Sequence, residues 1–150
     1  MQLVIVGGDE RGYIRNLRQQ VEHLNLTERV LFTGILDGRM KLAALTDADV
    51  FVLPSRSEGT SIVTFEAMAM CLPVIITDRV GQWREVVSSR CGKVVAYDTQ
   101  ELGKAMIEMI ETNDRADMGE RGRKLVRVNC DWNVIAKGFL ERVELVGGAS

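Results

Sequence analysis

Two glutamates, Glu58 and Glu66, flank the expected start of an apolar helix and are the side chains best placed to do chemistry. The loop reads Pro54-Ser55-Arg56-Ser57-Glu58-Gly59-Thr60-Ser61, and the helix continues as Ile62-Val63-Thr64-Phe65-Glu66-Ala67-Met68-Ala69-Met70-Cys71. Between Glu58 and Asp78 the only charged residue is Glu66. A carboxylate on so apolar a helix is costly unless something hydrogen-bonds it, and the hydroxyls of a ligand would serve. The first N–H groups of a helix lack partners and carry partial positive charge, which suits a phosphate. Gly59 lets the chain approach a ligand closely, and Thr60 and Ser61 offer hydroxyls. A ligand with a phosphate centre and a hydroxylated ring on each side fits that layout, and a nucleotide sugar is such a molecule. Each acid also has a plainer reading: Glu58 as a solvated loop residue, Glu66 as the partner of an arginine on a neighbouring helix.

The elements that must position this pair follow from the hydrophobic pattern. Apolar, β-rich runs occur at Leu3–Val6, Val30–Thr33, Val50–Leu53, Val74–Thr77 and around Val94–Val95. Helical stretches separate them, at about Gly12–Leu24 (with Ile14, Leu17, Val21 and Leu24 on one face), Arg39–Thr46, Ser61–Cys71 and Gln82–Val87. The runs are apolar throughout, as strands covered on both faces must be. Strand and helix in alternation imply a Rossmann-like, doubly wound α/β fold with a parallel sheet of about five strands, followed by C-terminal helices at Glu101–Thr112, Arg115–Val128 and Asn133–Val146. Ligands of such sheets bind beyond the carboxyl ends of the strands, which puts the loop carrying Glu58 at the binding edge.

Composition excludes several classes. The chain has 150 residues, 46% hydrophobic and 27% charged, with a net charge of −2, and reads as a single globular domain. Without a general basic face, nucleic acid is not an expected partner. No apolar run reaches membrane-span length, and the run after Met1 reads as a strand rather than a leader. The three cysteines, Cys71, Cys91 and Cys130, are widely spaced, and His23 is the only histidine. The expectation is therefore reduced thiols in a cytoplasmic protein, no metal site, and His23 at the surface. Met68, Met70, Met106 and Met109 read as core filling. The Gly7–Gly12 loop reads as a tight turn into a helix. Arg121, Arg123, Lys124 and Arg127 read first as a solvated face and second as a peripheral contact for anionic lipid headgroups.

Several motifs in order carry a resemblance. Pro54-Ser55-x-x-Glu58-Gly59, Glu66-Ala67-Met68-Ala69, Pro73-Val74-Ile75, Gly81 and Glu85-Val86-Val87 resemble the C-terminal domain of family 4 (group 1) glycosyltransferases, retaining enzymes of the GT-B fold. Phe32-x-Gly34, the run Ala48–Ser55, and Asp131-Trp132 are similar to the same family, and the resemblance extends over about residues 2–146. It implies that Glu58 and Glu66 are the ends of the family's E-x7-E motif. Glu58 would contact the donor sugar as the catalytic residue and Glu66 would bind the ribose. Gly59, Thr60, Ser61 and Ile62 would approach the diphosphate and sugar through backbone N–H groups. Ile35 and Leu36 would lie beside the base, and the Gly7–Gly12 loop would border the pocket. The substrate implied is a UDP-, GDP- or ADP-sugar, with no metal cofactor, and the reaction is sugar transfer to an acceptor hydroxyl with retention. A sugar-nucleotide epimerase of the same fold, or a non-catalytic interaction domain, are the alternatives.

The sequence departs from the family pattern at Thr60-Ser61, where an aromatic and a glycine are usual. It departs again at Cys71 and Gln82, where glycines are usual. The family's domain also opens with a further strand and helix carrying an arginine and a lysine. Residues 1–150 are accordingly expected to be one nucleotide-sugar-binding domain without that unit and without the N-terminal acceptor domain, inactive alone. The five strands would close in the order 2-1-3-4-5, or the incomplete sheet would be completed by a second copy in a homo-oligomer.

Overall fold

The computed structural model describes residues 1–9 and 12–147; Glu10 and Arg11 of the first glycine-rich loop lie outside the described residues. The chain forms two compact units, Met1–Ala44 and Leu45–Ser150.

In the first unit, β1 (Leu3–Val6) leads to α1 (Tyr13–His23), a 3₁₀ turn at Thr27–Arg29, β2 (Val30–Gly34) and the beginning of α2 (Gly38–Asp47). β1 and β2 are parallel, pairing Leu3 with Val30 and Ile5 with Phe32. The register then slips so that Val6 meets Gly34. Thr33 is the extra residue, and its hydroxyl donates to the Gly34 carbonyl at 3.0 Å. Ile14 and Val21 of α1 are half-buried, whereas Leu17 and Leu24 are exposed. His23 is exposed, as expected.

The second unit holds β3 (Phe51–Leu53), α3 (Ile62–Ala69), β4 (Val74–Thr77), α4 (Trp83–Ser89), β5 (Gly92–Val95), α5 (Thr99–Glu111), α6 (Arg115–Asn129) and α7 (Trp132–Gly147). Its sheet is parallel in the order β3-β4-β5, with Phe51 opposite Val74 and Val74 opposite Gly92. Side chains of β4 alternate between two cores, as the pleat dictates. Val74 and Ile76 join Leu45, Ala67, Met68, Val80, Val86 and Cys91 on one face. Ile75 joins Ala105 and Met109 on the other. α5 is started by Asp98, whose carboxylate accepts from the N–H groups of Gln100 and Glu101 at 2.8 and 3.0 Å.

The α/β class with parallel strands is the one expected. The order 2-1-3-4-5 is found as its two parts, β2-β1 and β3-β4-β5, in separate sheets rather than one. Burial also differs along the strands. β4, with a neighbour on each side, is buried at every residue, whereas Leu3, Val4 and Val6 of β1 are exposed. Among the described residues β1 pairs with β2 in a two-stranded sheet, and its apolar run does not signal full cover. α3 is covered at Thr64, Ala67 and Met68 but open at Ile62, less enclosed than its composition suggests. Met68 and Met109 fill the cores, while Met70 is exposed.

Candidate functional site

The loop from β3 to α3 is held to the turn after β4 by backbone pairing. The Glu58 N–H donates to the Arg79 carbonyl at 3.1 Å. The Gly81 N–H donates to both the Glu58 and Gly59 carbonyls, at 3.0 and 2.8 Å. This makes a one-residue parallel bridge between Glu58 and Val80. The approach is so close that a Cβ on Gly81 would lie 2.6 Å from the Gly59 carbonyl oxygen. Below this bridge the buried Thr77 hydroxyl donates to the Ser55 carbonyl at 2.6 Å. Glu58 is thus fixed by its main chain while its side chain stays exposed.

α3 begins immediately after this loop. Ser61 is its N-cap, in extended conformation, and the Ser61 hydroxyl accepts from the Thr64 N–H at 3.4 Å. Ser61 itself is buried, and so is Gln82, which reaches it from the turn after β4. The Ser61 N–H donates to Gln82 Oε1 at 3.0 Å, and Gln82 Nε2 donates to the Ser61 carbonyl at 2.7 Å. Ser61 therefore differs from the other expected donor contacts, since its N–H and hydroxyl are already engaged. Gly59 and Thr60 are exposed, and Ile62 is 73% exposed. Among the described residues, no acceptor is found for the N–H groups of Ile62 and Val63, which the first turn of a helix leaves without internal partners. The cap is a neutral oxygen, so this helix start keeps its partial positive charge.

Glu66 is the fifth residue of α3 and half-buried, with its Oε2 atom shielded from solvent. The neighbouring Thr64 Oγ1 is buried without a hydrogen-bond partner among the described residues. The structure thus brings Glu58, Gly59, Thr60, Ser61, Ile62 and Glu66 into one loop-and-helix segment braced by residues 77–82.

Ile35 and Leu36 follow β2 in the first unit, where Ile35 is 77% exposed and Leu36 half-buried. The Gly7 N–H donates to the Gly34 carbonyl at 2.9 Å, tying the loops after β1 and β2 together. A Cβ on Gly8 would lie 3.2 Å from the Ile35 side chain. The start of α1 carries its own anion: the Ile14 N–H donates to the Asp9 carboxylate at 3.1 Å.

Two departures noted in the sequence acquire physical meaning. Cys71 has φ of 61°, a left-handed conformation that explains why glycine is usual there. α6 packs onto the same residue, since a Cβ on Gly119 would fall 1.9 Å from the Cys71 carbonyl oxygen. Gln82 is the functional candidate that sequence reading missed, having registered only as the absence of a glycine. The basic cluster on α6 is partly structural. Arg121 donates to Asp114 at 2.7 Å and to the Arg90 carbonyl at 2.9 Å, and Arg123 donates to Cys71 Sγ at 3.7 Å. Burial pushes the Cys91 thiol pKa up, and burial followed by the nearby Glu85 charge does the same for Cys130. Among the described residues, no helix is long and apolar enough to cross a membrane.

Comparison with known proteins identifies the family of the chain. The family described as glycosyl transferases group 1 matches residues 1–112. The chain is 33% identical, over 143 residues, to a GDP-mannose-dependent alpha-(1-6)-phosphatidylinositol monomannoside mannosyltransferase of Mycobacterium tuberculosis. That match covers 89% of this chain and 37% of the mycobacterial protein. Mannosylfructose-phosphate synthase of Agrobacterium fabrum is 28% identical over 147 residues, covering 93% of this chain and 32% of that protein. Among solved structures, sucrose-phosphate synthase from Thermosynechococcus elongatus superposes with a TM-score of 0.80 at 29% identity, covering 99% of this chain and 39% of the other. The Anabaena protein HepE, solved in complex with UDP, shares the fold with a TM-score of 0.84 at 23% identity, covering 96% of this chain and 41% of its own. The chain therefore spans well under half the length of these relatives, and by sequence it belongs to the group 1 glycosyltransferases.

Proposed function

We propose that residues 1–150 form the donor-binding domain of a retaining glycosyltransferase that moves a sugar from a nucleotide sugar to an acceptor hydroxyl. The acceptor would be held by another domain of a longer protein. The observation that carries this reading is the braced segment from Glu58 to Glu66. Backbone pairing to Arg79 and Gly81 holds Glu58 at the mouth of the α3 start, and Glu66 stands about one turn further in with one oxygen out of solvent. In this reading the diphosphate lies on the N–H groups of Ile62 and Val63, with Gly59 and Thr60 beside the sugar. Glu58 faces the sugar and Glu66 accepts from the ribose hydroxyls. The helix start supplies positive potential without a metal, and the reaction is helped by stabilising the departing diphosphate and by positioning. Similarity to a GDP-mannose-dependent mannosyltransferase supports the class of donor.

The test is titration with UDP, GDP, ADP and their sugars, followed by calorimetry and by NMR of the folded chain, and repeated on the longer protein. Glu66→Ala should weaken the preferred nucleotide about tenfold or more, the equivalent of one hydrogen bond to a charged group. Absence of binding by every nucleotide in both samples would sink the proposal. Unchanged nucleotide affinity in Glu66→Ala, with a gain in stability, would point instead to a non-catalytic interaction domain.

A further inference from the structure

The side chain of Gln82 is only 3% exposed, although it lies beside a loop that is otherwise open. Both ends of its amide are used on one residue, accepting from the Ser61 N–H at 3.0 Å and donating to the Ser61 carbonyl at 2.7 Å. This two-way exchange is what a neighbouring strand would offer Ser61, supplied here by a side chain. Ser61 is the cap of α3, so its backbone orientation sets the direction of the first helical N–H groups. Gln82 directly follows Gly81, which is itself locked to Glu58 and Gly59. The bracing of the loop therefore reaches from Glu58 and Gly59 to Ser61, the cap of the helix.

We propose that Gln82 is a positioning residue of the donor site: its amide holds Ser61 on both sides, aims the Ile62 and Val63 N–H groups, and withdraws the Ser61 N–H from the ligand. This rests on the donor-binding reading above. A glycine at position 82 has no side chain to make either bond, and would leave the Ser61 N–H to solvent or to the phosphate. In this chain diphosphate recognition thus shifts one residue into the helix, and its geometry depends on a side chain outside the E-x7-E segment.

The experiment compares the wild-type chain with Gln82→Met, which preserves volume and loses both bonds. The first readout is ligand-free amide exchange. Protection of the Ser61 N–H should fall at least about tenfold, the equivalent of one buried hydrogen bond, while Ile75 and Ile76 in β4 keep theirs. The second readout is affinity for UDP, GDP and ADP against affinity for uridine, guanosine and adenosine. Diphosphate affinity should fall about tenfold and nucleoside affinity by less than about twofold, because only the phosphate relies on the helix start. An equal loss for both, or an unchanged diphosphate affinity once Ser61 is unprotected, overturns the positioning role. If the wild type binds no nucleotide in the chain or in the longer protein, the donor reading falls and the positioning role with it. If the wild type binds and Gln82→Met binds equally well, only the positioning role is lost. Should Gln82→Met fail to fold, Gln82→Glu decides on exchange alone. Ionised, its carboxylate still accepts from the Ser61 N–H but turns its other oxygen on the Ser61 carbonyl with no proton to donate, so the Ser61 protection factor should rise as the acid protonates and relieves that repulsion. A protection factor indifferent to protonation refutes the clamp.

Discussion

Replacing Gly81 by alanine tests whether the loop from β3 and the turn after β4 are one rigid unit. The new methyl would sit 2.6 Å from the Gly59 carbonyl oxygen and 3.0 Å from its carbon. Both are main-chain atoms and cannot rotate aside, so the two segments must part. Parting stretches the shared bond from the Gly81 N–H to the Glu58 and Gly59 carbonyls and the bond from the Glu58 N–H to the Arg79 carbonyl. Counting the shared bond once, that is about 2 kcal/mol, and overpacking adds about 1–3 kcal/mol. The sum of about 3–5 kcal/mol is a large part of the roughly 5–15 kcal/mol that holds a domain folded. Urea unfolding measured against the wild type gives the loss directly, with Gly59→Ala as the control, since a Cβ at Gly59 meets nothing within 4 Å. Gly81→Ala should also weaken nucleotide-sugar binding, because Glu58 moves with the loop. A loss under about 0.5 kcal/mol, the scatter of ordinary surface changes, would refute the rigid pairing. So would an equal loss in Gly59→Ala.

Further predictions follow from local geometry. Cys71→Gly should raise stability by about 0.5–1 kcal/mol in urea unfolding, because φ of 61° strains a residue with a Cβ and the thiol makes only weak sulfur hydrogen bonds with Glu120 and Arg123. Gly103→Ala, in α5 with open space around its Cβ, should raise stability by about 0.5–1 kcal/mol through helix propensity, and a fall would show crowding the structure lacks. Glu108 is hydrogen-bonded to Lys93 across α5 and β5, and this bond, then the Lys93 charge, holds its carboxyl below the usual range. A lowered folded pKa means the contribution is complete above the ordinary glutamate pKa and disappears as pH falls through the folded value. Acid titration of stability should therefore be flatter in Glu108→Gln than in the wild type over that window. Cys91, in the core with its pKa raised by burial, should resist alkylation at neutral pH until the chain unfolds, as followed by mass spectrometry.

The sheet of the second unit was legible because β3 and β4 are short apolar runs bounded by turn residues, and β5 shows as the pair Val94-Val95, a pattern that one sequence carries by itself. β1 has the same kind of run yet is exposed, since composition records what a strand can bury and not how many neighbours it has. The 3₁₀ turn at Thr27–Arg29 left no apolar period to read. In the site, Glu66 stood out because an acid in an apolar helix is locally anomalous. Ser61 looked like a ligand contact because hydroxyl and N–H at a helix start suit a phosphate, and only the fold brings Gln82 across from the turn after β4 to engage them. Cys71 was visible as a departure, and its backbone angle supplies the reason.

The two helix starts differ in how they are closed, and this sorts anions by location. α1 has a full negative charge from Asp9 on the N–H of Ile14, so a phosphate arriving there would meet a like charge. α3 is closed by the neutral hydroxyl of Ser61 and keeps its attraction for an anion. Both segments follow a strand and open with glycine nearby, and either would look inviting on backbone geometry alone. The choice of one acid against one alcohol gives the chain a built-in preference between them.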